Sequence, residues 1–173
     1  MQLQPIDKAD YLKRSRVLSI ILISCFAVIA LGSAPILIHI FGNPEGGNFY
    51  LNLAGVGLGV AITGFAFSFF RHDPRLSEIW YVFSLKRMLA RTTNRMHLLK
   101  KLAAAGDEDA IQILRFYYQG LSQVYQLESN EYGYTELNKE HEAFVAQLEE
   151  RLKTAELVVV QPEFIESVAK RAA

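Results

Sequence analysis

Hydrophobic positions along the chain follow two different patterns, and the change from one to the other divides it. From Val17 to Phe41, and again from Phe49 to Phe70, apolar residues cover every side of a helical wheel. These runs hold 25 and 22 residues without Asp, Glu, Lys or Arg. As a helix the first would be about 37 Å long at about 1.5 Å per residue, and a hydrocarbon core needs about 20 residues. The first run exceeds the ~7–15-residue core of a signal peptide and a second follows at once, so a retained transmembrane hairpin is expected. Beyond Phe70 the pattern changes to amphipathic helix. Val82, Leu85, Leu89, Met96, Leu99 and Ala103, with Thr92 completing the series, fall on a 3-4 spacing. They predict a helix from about Pro74 to Ala105, capped by Asp73 and stopped by Gly106.

The same reading predicts a helix over Glu108–Glu128 with Asp107 as its cap. Its stripe is Ala110, Leu114, Tyr117, Leu121 and Val124, with Ile111, Tyr118 and Tyr125 beside it. Another is expected over Glu136–Leu157, capped by Thr135, with Leu137, Phe144, Leu148, Leu152 and Ala155 on its apolar line. A short helix starts at Pro162, after Val158–Val160, a brief strand for which the sequence offers no partner. The expected fold is all-α: a two-helix transmembrane hairpin, then a cytoplasmic bundle of three long helices and one short one. Its segments are 1–16, transmembrane 17–41, a periplasmic turn 42–48, transmembrane 49–70 and a cytoplasmic domain 71–173.

Charge refines this picture. The 18 basic and 18 acidic residues balance, but they are unevenly placed. Residues 71–101 carry eight basic and two acidic side chains, and residues 102–173 six basic and thirteen acidic. Lys13, Arg14 and Arg16 flank the first span, and Arg71 and Arg75 the second, whereas the Gly42–Asn48 connector has no basic residue. Basic residues stay cytoplasmic, so both termini are expected there, with these five at the membrane surface. Arg87, Arg91 and Arg95 repeat every fourth residue and form a candidate partner or lipid face. The acidic segment that follows argues against nucleic acid as the ligand.

The glycines of AGVGLGVAITG (Ala54–Gly64) bear on chemistry. A dinucleotide site needs Gly-x-Gly-x-x-Gly between a strand and a helix, but here the third position is Ile62 and the run lies in mid-membrane. Gly55, Gly59 and Thr63, with Gly64 beside them, instead form a small-residue stripe suited to close helix packing in lipid. Either the first helix, through Ala30, Ser33 and Ala34, or a second copy could meet it. No titratable relay crosses the membrane. The four histidines and the single Cys25 lack metal-ligand spacing, and no nucleophile motif occurs. No catalytic residue, cofactor or metal is expected.

Ala103–Gly120 resembles one unit of a Sel1-like or tetratricopeptide repeat, without a second copy to stack on. Over nearly its full length the chain resembles an uncharacterised proteobacterial inner-membrane family catalogued as a domain of unknown function. The stretches MQLQPIDKADYLKR, NLAGVGLGVAITG, RHDP, EIWYVFSLKRML and FYYQGLSQVYQLE carry that likeness. The resemblance implies a bacterial inner membrane and an all-helical cytoplasmic part. The expected function is a non-enzymatic membrane-anchored scaffold or interaction protein that contacts lipids, self-associates and binds a protein partner. The alternative is a small oligomeric channel or transporter subunit lined by the glycine-rich helix.

Overall fold

The computed structural model describes residues 1–70, 73–148 and 159–172. Among these the fold is all-α, with seven helices: α1 (Lys8–Phe41), α2 (Phe49–Phe69), α3 (Ser77–Asn94), α4 (Met96–Ala104), α5 (Glu108–Leu127), α6 (Glu131–Ala146) and α7 (Pro162–Ala169). They form two compact units, one of Ala9–Trp80 and one that joins Met1–Lys8 to Tyr81–Ala173.

In the first unit, α1 and α2 are both long and apolar enough to cross a membrane. Their burial is inverted relative to a water-soluble core. The residues that α2 buries are Gly55 and Gly59, and within its apolar run α1 buries Ala30; Tyr11, buried near the start of α1, lies before that run. Large side chains such as Val28, Leu31, Phe65 and Phe69 are more than 70% exposed. A hairpin in lipid gains nothing from hiding large apolar groups and gains dispersion from close backbones, so this inversion fits a lipid solvent. The helix α1 continues through Pro35. The connector is held by a reciprocal pair: Asn43 N–H donates to Asn48 Oδ1 (2.8 Å), and Asn48 Nδ2 donates to the Asn43 carbonyl (3.1 Å). Gly46 and Gly47 take φ values of +101° and +81°, which other residues rarely adopt. Asp73 caps the turn into α3, its Oδ1 accepting from Arg75 N–H at 2.8 Å.

The second unit is organised around α5, which packs on α4, α6 and α7. Its buried residues include Ile113, Phe116 and Leu127 as well as Ala110, Ile111, Leu114, Tyr118 and Val124. The stripe read from sequence was too narrow, because a central helix is covered on several sides. Gly120 lets α3 approach α5: a Cβ there would lie 3.2 Å from Leu85 Cδ1 and from Leu89 Cδ2.

Three boundaries differ from expectation. The predicted single helix Pro74–Ala105 is broken at Arg95 into α3 and α4. Thr92 and Thr93 donate their hydroxyls to the Met88 and Leu89 carbonyls just before the break, and such back-bonding by poor helix formers bends a helix. The helix α6 begins at Glu131, not Glu136. Asn130 is its cap, accepting from Gly133 N–H at 2.9 Å, while Thr135 sits inside and donates to the Glu131 carbonyl. Leu152 and Ala155, in the later part of that predicted helix, lie outside the described residues.

The third difference is at the N-terminus. Met1–Lys8 forms a strap on the bundle and is not a separate segment. Val160 N–H donates to the Met1 carbonyl at 3.2 Å, and the Met1 amino group donates back to the Val160 carbonyl. The short extended stretch around Val160 thus has a backbone partner that the sequence did not disclose. Further along, Gln4 N–H donates to Tyr81 Oη (2.9 Å), Tyr81 donates to Gln123 Oε1 (3.0 Å), and Gln123 Nε2 donates to the Gln4 carbonyl. This closed ring ties the strap to α3 and α5.

Candidate functional site

Three places carry the residues singled out by sequence. The first is the seam of the hairpin. A Cβ built on Gly55 would lie 2.8 Å from Ala34 Cβ, and one on Gly59 would lie 2.9 Å from Ala30 Cβ and 3.1 Å from Phe26 Cε2. The Ser33 hydroxyl reaches the Gly55 carbonyl at 3.2 Å across the seam. The stripe therefore meets α1 of the same chain. Gly64 does not belong to this contact: it has open space where a Cβ would be, as does Gly57. Thr63 and Gly64 border a lateral apolar hollow of about 310 Å³ together with Leu22, Phe26, Val60 and Phe67. Among the described residues the buried Thr63 Oγ1 has no hydrogen-bond partner.

The second place is the basic flank. Lys13 and Arg16 are exposed on α1. Arg14 faces acids instead of solvent alone: it lies 3.5 Å from Asp10 and 3.8 Å from Glu78, and donates to the Arg75 carbonyl at 3.4 Å. Arg75 is exposed, and Arg71 lies outside the described residues. Along α3 the three-arginine stripe divides. Arg95 pairs with Glu166 of α7 at 3.1 Å, while Arg87 and Arg91 have no carboxylate within ion-pair distance among the described residues. Lys86 is paired with Glu128 of the α5 C-cap.

The third place was not anticipated as a site. A cleft of about 600 Å³ opens between α4, α5 and α6. Leu114, Tyr118, Phe144 and Leu148 line its apolar side, and Lys100 and Glu140 supply its charges. The Tyr118 ring stacks on His141 with centroids 5.3 Å apart, and it also meets Phe144 at 5.4 Å. Burial pushes the Tyr118 phenol up, with the Glu140 and Tyr117 charges adding to it. Burial and then the Arg115 charge hold His141 below its ordinary range, against a weaker pull from Glu142. The sequence signal for the cleft was the aromatic series on α5, which periodicity assigns to the core. Only its meeting with Phe144 and its neighbours on α6 makes a cleft.

Among the described residues no three His, Cys, Asp or Glu side chains converge as a metal set, and Cys25 is exposed on α1. The geometry thus offers a packed seam, a basic flank and a cleft, all on helices. No curated protein and no solved structure matches the chain. Its residues 1–167 match the family described as "Protein of unknown function (DUF3087)", and the chain belongs to that family.

Proposed function

We propose that the chain is a non-enzymatic helical scaffold anchored in a bacterial inner membrane, whose bundle binds a protein partner on the cytoplasmic side. The observation that carries this reading is the cleft between α4, α5 and α6, with its apolar wall and its two charges of opposite sign. Protein interfaces favour such aromatic-rich, concave surfaces with polar margins.

Topology has support of its own. The strap residues Met1 and Gln4 are bonded to Val160, Tyr81 and Gln123 of the bundle. A strap and a bundle that belong to one unit support the reading that both ends of the hairpin emerge on one side. The basic flanks, with a connector lacking Lys and Arg, support the cytoplasm as that side. Self-association has a surface too: Gly57 and Gly64 lie two turns apart on α2, with open space where side chains would be.

The test is crosslinking in native membranes with a photoreactive residue at Phe144, compared with the same chain carrying Ala104→Arg in the cleft wall. One discrete partner, lost in the Arg variant while thermal stability holds, supports the reading. Reporter fusions at residue 173 and within 42–48 should report opposite sides of the membrane. Solute flux through liposomes containing only this protein would replace the scaffold with a channel.

A further inference from the structure

The division of the arginine stripe points to a binding site. Arg87 and Arg91 are one turn apart on the exposed face of α3. With Met1, Ser84, Met88 and Pro162 they line a hollow of about 300 Å³. Arg91 and Pro162 also border a second hollow of about 460 Å³, together with Lys170 and Ser167. Nothing in the described structure neutralises the two guanidinium groups. Glu166, which also lines the second hollow, is engaged by Arg95 at 3.1 Å, and Glu163 stays beyond ion-pair distance of Arg91. Two other cations of the bundle are matched, Lys86 by Glu128 and Arg171 by Asp107 and Asp109, whereas Lys170 at the second hollow has no carboxylate within ion-pair distance among the described residues.

We propose that Arg87 and Arg91, with the Ser84 hydroxyl, bind a phosphoryl group in the hollow at the start of α7. Guanidinium groups at i and i+4 stand about 5–6 Å apart at their Cβ atoms. They can reach two oxygens of one phosphate, which they recognise through paired donors. Ser84 adds a neutral donor. Pro162 places the first turn of α7 at the same hollow, and no side chain caps that turn. Its positive end therefore adds to the field. The volume suits a phosphate with a small substituent and is too short for an extended acidic peptide. The ligand is a phosphate ester, either the headgroup of an anionic phospholipid or a soluble small phosphate. The site lies wholly in the bundle and does not depend on the protein-partner reading.

The experiment uses the full chain in phosphatidylcholine nanodiscs at low ionic strength. In one arm glycerol phosphate is titrated and binding is followed by calorimetry. In the other, phosphatidylglycerol replaces part of the phosphatidylcholine, and quenching of a probe at Ser167→Cys, beside the neighbouring hollow, is read in a Cys25→Ser background. The comparison is Arg87→Gln/Arg91→Gln against a charge-matched control, Lys101→Gln/Lys139→Gln. Saturable binding weakened at least about tenfold by the arginine pair, and less than about twofold by the control, is expected because each charged hydrogen bond contributes strongly. A response in the soluble arm alone identifies a free phosphate ester, and one in the phosphatidylglycerol arm alone a lipid headgroup. Binding in neither arm, or equal losses in both double variants, overturns the proposal. All four positions are outside the buried core, so unchanged helicity and melting temperature can be required of every variant.

Discussion

Adding one methyl group to Gly55 should loosen the hairpin, while adding one to Gly57 should not. At Gly55 the new Cβ would sit 2.8 Å from Ala34 Cβ and 3.0 Å from the Ala34 Cα and N atoms. Carbon atoms in contact prefer about 3.5–4.0 Å, so the two helices must part by roughly 0.8 Å. Backbone cannot swing aside as a long side chain would. That separation forfeits about a quarter to a half of the dispersion along the seam. It also stretches the 3.2 Å Ser33–Gly55 hydrogen bond out of range, a loss of about 0.6 kcal/mol in a membrane protein. With overpacking costs of about 1–3 kcal/mol, Gly55→Ala should destabilise the hairpin by about 2 kcal/mol. Gly59→Ala should cost somewhat less, because the Phe26 ring at 3.1 Å can give way although Ala30 Cβ at 2.9 Å cannot. Gly57→Ala and Gly64→Ala meet nothing within 4 Å and should be neutral or slightly stabilising through helix propensity. Unfolding in mixed micelles titrated with dodecyl sulfate measures the difference. If all four variants unfold at the same detergent fraction, the seam does not hold the helices together and the packing argument fails.

Tyr81→Phe removes the hydroxyl that links Gln4 to Gln123; it should cost about 1–3 kcal/mol and make the N-terminal residues more open to amide exchange, which hydrogen-exchange mass spectrometry would detect. Asp107→Ala deletes the cap that Ala110 N–H donates to at 2.9 Å and one partner of Arg171, and chemical denaturation should show a loss of about 1–2 kcal/mol. His141 is held below its usual value of 6.5 by burial first and Arg115 second, so below pH 6.5 the unfolded chain binds more protons than the folded one. Stability is then full above pH 6.5 and declines as pH falls towards the folded value; melting curves of His141→Gln should lack that decline, and an unchanged slope would mean that another group titrates.

The two long apolar helices were legible because an uncharged run of more than twenty residues leaves the chain few options. A run with no charged residue must satisfy its backbone internally, so length and composition suffice to expect a spanning helix. The bundle helices were legible to within a few residues wherever a cap or a first-turn proline stood at a sharp boundary, as at Asp73, Asp107 and Pro162. They were misjudged where two boundary signals competed. Thr135 and Asn130 are both credible caps, and the choice fell to the turn that already follows Glu128, where Ser129 adopts φ of 57°. The strap was beyond reach of any periodicity. Its eight residues form no helix face until Lys8, and what fixes them is a tyrosine hydroxyl on α3 and a glutamine on α5.

Charge was the least legible property, because a repeat of like charges says nothing about what faces it. Read alone, Arg87, Arg91 and Arg95 are one stripe with one role. In space their surroundings differ, since α7 brings Glu166 to the level of Arg95 and the pair forms there. Arg14, equally part of a basic flank, is taken up by Asp10 and Glu78, so it cannot give its full charge to a lipid surface. Exposed pairs of this kind contribute little to stability, about 0–1 kcal/mol each. Their larger effect is on availability, because a guanidinium already facing a carboxylate offers a weaker field to an anion from outside. With Lys86 and Arg95 set aside as paired, Arg87 and Arg91 are cations of the basic belt that share one hollow, and that shared place separates a binding site from a merely solvated helix face.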